Sequence, residues 1–297
     1  FPMVYQAITD DLISIGPPYF NAIFIPLMAL LALLLSIGPY TRWKRTSTTY
    51  LVQQLGKVAL AALVLGVVLP LLVTRQISLP ATMAVAIGSW IILAMLQDLV
   101  NKTANKATRL KGLRALSFSY YGMQMAHMGM AVMLLGVALT SSFSSERSVL
   151  LSPGQDVGLG NYVFRFDGVA SVNGPNYIGE EATFTVFEEG EEIAILHPQR
   201  RIYLATNTPS TEMAIDAGFL RDLFITLGER KEGDAWSMTL YVKPFVRWIW
   251  LGAIFMTFGG ILAAADKRYR RLRRKQTESN RSQGKSNALG GELQASS

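Results

Sequence analysis

The chain has 297 residues, half of them hydrophobic and only 16% charged, with a formal net charge of +7 and no cysteine. Without cysteine there is no disulfide framework, thiolate metal site or thiol nucleophile. Mean hydropathy is positive, and the basic excess lies in short segments beside apolar runs, which is a membrane-topology signal and not a nucleic-acid footprint. Between Ser142 and Pro244 the balance reverses, with 15 acidic and 8 basic residues.

The N-terminal residues, Phe1-Pro2-Met3, carry no charged segment followed by an apolar core and a cleavage site. No signal peptide is expected, and the chain reads as a piece of a longer polypeptide. Phe1–Tyr19, with Asp10, Asp11 and the turn Gly16-Pro17-Pro18, is too polar and broken to span. A first membrane helix is expected over about 20–37, with Pro26 inside it. It stops at Gly38-Pro39, where Thr41-Arg42-Trp43-Lys44-Arg45 forms a basic, aromatic interfacial anchor. The second helix is expected over about 58–73, ending near Pro70, and the third over about 79–96. Asp98–Leu116 reads as a basic, helix-compatible loop. A fourth helix is expected over about 120–140 and a fifth over 245–265. Residues 266–297 read as a basic tail, disordered because it holds few apolar residues.

Alternating spans put Arg42–Lys57, Lys102–Arg114 and the cluster Lys267–Lys275 on one side. Arg75 and Asp10–Asp11 fall on the other. Positive-inside reasoning makes the first side cytoplasmic and 142–244 extracytoplasmic. The fold class is therefore an α-helical polytopic membrane protein of about five helices. Residues 1–141 form the first four-helix region, and 142–244 a β-rich domain inserted before the last helix. Within that domain Tyr162, Phe164 and Phe166 alternate with Val163, Arg165 and Asp167, as a half-buried strand does. Asn173–Asn176 and Glu188–Glu191 read as turns. Thr183–Phe187, Ile193–Leu196, Arg201–Ala205 and Trp236–Val242 read as strands, and Glu212–Gly228 as a helix interrupted by Gly218.

His127 is the one ionisable side chain in the stretch Tyr120–Thr140, where a neutral imidazole needs a hydrogen-bond partner or a metal. One reading is a histidine hydrogen-bonded between helices. The other is an axial ligand to haem iron, with Gly122, Ala126, Gly129, Ala131 and Gly136 letting a bulky group come close. His197 reads as a strand-end surface histidine. Arg200 and Arg201 beside Tyr203 either receive a carboxylate or offset neighbouring glutamates. The glutamates at 188, 189, 191 and 192 lack calcium-loop spacing and read as a solvated turn. Trp43, Trp90, Trp248 and Trp250 read as interface or packing aromatics. No self-contained catalytic motif is present.

Three blocks in order, MAHMGMAVMLLGVALTSSFSSER, TEMAIDAGFLRDLFITLGE and WSMTLYVKPFVRWIWLGAIFMTFGGILAAADKRYR, resemble the C-terminal half of the cytochrome c maturation family CcmF. So does FNAIFIPLMALLALLLSIGP with the basic connection after it, and the likeness runs over most of residues 1–275. The resemblance implies a component of a haem lyase in the bacterial inner membrane. Its partners would be CcmH-type and CcmE-type maturation proteins, apocytochrome c and the N-terminal half of the same protein. It implies a b-type haem in the membrane with His127 as one axial ligand, the second coming from the N-terminal half. It also implies a periplasmic 142–244 segment and a cytoplasmic tail, with no lyase activity in this piece alone. The competing reading is a non-catalytic assembly protein whose outer domain docks partners and whose His127 only ties helices together. A permease ranks last, since the spans carry few polar residues.

Overall fold

The computed structural model describes residues 17–41, 45–74, 78–104, 109–231 and 233–266. The expectations for Asp10–Asp11, Trp43, Arg75 and the cluster Lys267–Lys275 lie outside those residues. The apolar runs form five helices long and apolar enough to cross a membrane. They are α1 (Pro17–Ile37), α2 (Thr48–Thr74), α3 (Leu79–Ala104), α5 (Phe118–Phe143) and α6 (Val246–Ala264), with the six-residue α4 (Arg109–Arg114) between α3 and α5. The described residues fall into two compact units. One is drawn from Phe1–Ala62, Ser89–Ala131 and Gly252–Ser297, the other from Leu63–Gly88 and Val132–Leu251.

Local chemistry sets the helix ends. α1 passes into a 3₁₀ turn at Gly38–Tyr40, closed by Thr41 Oγ1 donating to the Gly38 carbonyl at 2.8 Å. Ser47 and Ser117 cap α2 and α5, their hydroxyl oxygens accepting from the amides of Tyr50 and Tyr120 at 3.3 and 3.2 Å. Asp266, read from the sequence as the first residue of the tail, is instead 4% exposed and accepts from the Ser119 amide at 2.9 Å. A carboxylate at the positive end of α5 also favours the helix dipole. α2 begins ten residues before the expected span, and α3 runs eight residues past it.

Within the first unit Tyr40 donates to the Ala94 carbonyl at 2.7 Å, and the Trp90 indole donates to the Leu33 carbonyl at 3.1 Å, tying α3 to the α1 end. α5 and α6 pack antiparallel through glycine. A Cβ built on Gly122 or Gly129 would lie 2.5 or 2.6 Å from the Gly259 or Gly252 carbonyl oxygen. In the second unit, one on Gly136 would lie 2.8 Å from the Ile249 amide.

The ten strands occupy the second unit and form two antiparallel sheets. β1 (Ser145–Leu151), β10 (Trp236–Pro244), β9 (Arg221–Arg230) and β8 (Ala214–Ala217) lie in that order in one. The other runs β2 (Asp156–Leu159), β3 (Tyr162–Asn173), β4 (Tyr177–Glu188), β6 (Gln199–Tyr203) and β7 (Thr208–Glu212), with β5 (Glu191–Leu196) on the second half of β4. The partner of β4 changes at His197-Pro198, where the Pro198 carbonyl accepts from Ala182 at 2.9 Å. The two-residue β4–β5 turn holds Glu189 and Gly190 at φ 52° and 89°, as a tight right-twisting hairpin requires. Phe164, Phe166, Phe184, Val186, Leu223, Ile225, Leu227, Met238 and Leu240 form a dry core shared by both sheets. The helix expected over Glu212–Gly228 is instead the end of β7 with β8 and β9, and Leu223, Ile225 and Leu227 alternate into the core.

On β3, burial resists the Asp167 charge. The Thr185 hydroxyl at 2.6 Å and Arg165 at 2.9 Å outweigh it and hold its pKa below the ordinary carboxylate value. That contribution is complete above the ordinary carboxylate pKa and fades as pH falls through the lower folded-state value. We predict that Asp167→Asn lowers the melting temperature at pH 6, and that the gap closes below about pH 4 in thermal melts. In the α5–α6 seam, Gly122→Val, Gly129→Val and Gly259→Val should each cost about 1–3 kcal/mol in denaturant titrations. Gly260→Ala, where a Cβ meets nothing within 4 Å, should stay within about 1 kcal/mol of wild type.

Candidate functional site

His127 lies nine residues into α5, about 14 Å from its N-terminal end at 1.5 Å per residue. Its Nδ1 is 2.8 Å from the Met123 carbonyl oxygen one turn earlier. A carbonyl only accepts, so Nδ1 carries a proton, and in the neutral ring Nε2 then keeps its lone pair. Among the described residues Nε2 has no recorded hydrogen bond. Backbone capture of one ring nitrogen is how iron- and zinc-binding imidazoles are oriented for ligation through the other.

The small residues around His127 do different work from that expected. Gly122 and Gly129 are filled by the α6 backbone, and Gly136 faces Trp248–Ile249. Ala126 meets Gly259, and Ala131 is fully buried. At about 100° per residue, His127 points some 160° away from Gly129 and hence from α6. It shares its side of α5 with Tyr120 and Gln124, at spacings of seven and three. An apolar groove of about 550 Å³ lies between Phe118, Tyr121, Gln124, Met125 and Met128 of α5 and Phe255 and Leu262 of α6; Gln124 borders it and His127 does not.

Tyr120 and Gln124 reach a buried carboxylate that the sequence reading assigned to a loop. Asp98 on α3 is 5% exposed and accepts from Tyr120 at 2.8 Å, Lys102 at 2.9 Å and Gln124 at 3.4 Å. Gln124 also donates to the Met95 carbonyl and to the Tyr120 hydroxyl. The Lys102 ammonium sits 4.3 Å over the Tyr120 ring. The Asp98–Lys102 spacing of four was the signal available in the sequence. This cluster fixes the rotation of the α5 turn that precedes His127.

In the β-domain His197 is half exposed, 3.4 Å from the Thr183 hydroxyl and 3.9 Å from Glu181. Arg200 lies 3.9 Å from both Glu180 and Glu229, and Arg201 3.9 Å from Glu212 and 4.4 Å over the Tyr177 ring. Burial opposes the Arg201 charge, but Tyr203, Tyr177 and Glu212 outweigh it and raise its pKa. Both arginines are thus engaged by domain glutamates. No group of three or more metal-ligating side chains occurs among the described residues. The Trp90 indole donates to the Leu33 carbonyl, Trp248 packs beside the Phe219 and Phe245 rings, and Trp250 is exposed.

Five apolar helices with an antiparallel β-domain between the fourth spanning helix and the last define a multi-pass membrane protein with one inserted extramembrane domain. Residues 142–244 match the family model described as the CcmF C-terminal beta-sandwich. The chain is 44% identical over 270 residues to the cytochrome c-type biogenesis protein CcmF of Pseudomonas fluorescens, covering 91% of this chain and 41% of that protein. It is 38% identical to the protein of that name from Escherichia coli (strain K12), with the same coverage. Its fold superposes on a solved structure called cytochrome c heme lyase CcmF with a TM-score of 0.70. That match has 24% identity and covers 88% of this chain and 42% of that one. The chain is thus similar over nine-tenths of its length to CcmF proteins, and it spans about two-fifths of the length of the curated relatives it matches.

Asp98→Leu should cost about 1–3 kcal/mol by orphaning Tyr120 and Gln124. Lys102→Met, at the more exposed partner, should cost less than about 1 kcal/mol. Equal losses in denaturant titrations would contradict this account of the cluster.

Proposed function

We propose that this chain is the C-terminal part of a haem lyase component of cytochrome c maturation in the bacterial inner membrane. In this reading the protein holds a b-type haem through His127 and helps attach haem to apocytochrome c on the periplasmic side. The observation that carries the ligand role is the Nδ1–H bond to Met123, which in the neutral ring leaves the Nε2 lone pair for a metal in an apolar helix. The names of the relatives support the maturation role. A b-type haem, when bound, supplies one-electron chemistry at its iron.

The residues of this chain have separate tasks. The Met123 carbonyl selects the tautomer of His127 and restrains its ring. Asp98, Tyr120 and Gln124 set the rotation of the preceding turn. The glycine seam with α6 turns His127 away from that helix, and a further ligand to a haem held there would come from the N-terminal half. The basic segments at 42–57, 102–114 and 267–275 support a cytoplasmic tail and a periplasmic β-sandwich. We assign the sandwich recognition of CcmH-type and CcmE-type partners, the haem substrate and apocytochrome c, with no covalent chemistry of its own.

In the scaffold alternative His127 ties helices together and holds no haem. The test is a dithionite-reduced visible spectrum of this chain co-expressed with its N-terminal half. Haem should be present in wild type, lost in His127→Gly and regained with added imidazole. Equal haem per folded molecule in both forms would move the ligand elsewhere and leave the scaffold reading.

A further inference from the structure

The hairpin between β8 and β9 ends in a two-residue loop, Phe219-Leu220. Ala217 pairs with Asp222, and the Gly218 amide donates to the Arg221 carbonyl at 2.9 Å. Loops of this length ordinarily use Gly, Asn, Asp or Pro, which solvate the tip and tolerate its dihedrals. Here the tip carries two large apolar side chains, 61% and 58% exposed. Ile215, on the strand that leads into it, and Met213, just before that strand, are apolar and exposed too.

The depth of this tip is fixed by α6. The Phe245 amide, one residue before the helix begins, donates to the Leu220 carbonyl at 2.9 Å. The Phe219 ring lies 5.9 Å from the ring of Trp248 in the first turn. Trp250, at the start of the second turn, is 70% exposed. Tryptophan in the first turn of a spanning helix marks the boundary between headgroups and acyl chains. The apolar tip is therefore continuous with the lipid-facing surface of the helix.

Just behind the tip the charges change character. Asp216 pairs with Arg221, and Asp222 lies 3.6 Å from Arg247 and accepts from the Gly218 amide at 3.1 Å. Paired charges at this level meet headgroups without carrying an uncompensated ion into the acyl region. An apolar point, a paired collar and an anchored depth make a wedge shaped for a bilayer surface.

We propose that the β8–β9 tip inserts Phe219 and Leu220 into the adjacent membrane leaflet and binds lipid at the boundary of headgroups and acyl chains. The sandwich is then held to the membrane at a third point besides its two helical connections. The inference needs only that α6 spans the bilayer and does not depend on the haem reading.

This chain has no cysteine, so Phe219→Cys, Leu220→Cys and, in the acidic β4–β5 region, Glu192→Cys can each carry one nitroxide label. The protein is reconstituted in nanodiscs of phosphatidylethanolamine and phosphatidylglycerol, and power-saturation EPR compares relaxation by oxygen with relaxation by a water-soluble nickel chelate. The labels at 219 and 220 should relax several-fold more with oxygen than with nickel, and the label at 192 should show the reverse order. Nickel-dominated relaxation at 219 and 220 would overturn the proposal. So would protection from both agents, which would mean that protein covers the tip. If Phe219→Cys fails to fold, Leu220→Cys gives the same reading.

Discussion

Backbone contact between α5 and α6 is the constraint on which the remaining structure depends. In lipid there is little hydrophobic drive for two apolar helices to associate, so they hold together by close approach. Glycines at 122, 129 and 136 of α5 recur every seven residues, as do Gly252 and Gly259 of α6. They bring main chain against main chain at 122 and 129 in one unit and at 136 in the other. A seam of this kind fixes rotation as well as distance, because any other face of either helix would present side chains to the gap.

Rotation is what the histidine needs. With the glycine face committed to α6, Tyr120, Gln124 and His127 fall on the far side of α5. There the first two bind a buried carboxylate on α3, and the third binds the carbonyl of its own helix. The polar groups of the helix are thereby divided by role. Those one and two turns before His127 are spent on packing, and the imidazole keeps one nitrogen uncommitted. Such a division is economical in a membrane, where each polar side chain without a partner is costly.

The spans and the isolated histidine were legible in the sequence because twenty apolar residues with one ionisable group carry a strong signal. The helix ends were not. Thr48–Gln54 and Gln97–Ala104 are polar, and they remain helical through contacts the sequence does not display, such as Gln97 donating to the Gln54 carbonyl at 2.6 Å. Asp98 was missed for that reason. The glycines were visible, but a seven-residue repeat of small residues fits a cradle for a bulky group and a helix seam equally well. In the β-domain the alternation of Phe164 and Phe166 identified β3 correctly. Over 212–228 the spacing of Leu220, Leu223, Phe224 and Leu227 imitates a helix, while the buried set is the period-two series of β9. Tertiary pairing with β10 decides between the two.

The joint between sheet and helices joins two lattices of different pitch. β1 follows α5 after a single residue, Ser144, and β10 reaches α6 through Phe245 alone, while Ser145 pairs with Val242. Neighbouring strands lie about 4.8 Å apart, whereas packed helices usually stand 8–10 Å apart. The Thr140 hydroxyl clasps the Pro244 carbonyl at 2.6 Å, and Phe245 takes a left-handed turn at φ 59°. The chain so converts helix spacing into strand spacing with no slack. One extra residue at either connection would turn a whole strand inside out, so the seam glycines and the strand register form a single measurement, taken once at each end of the joint.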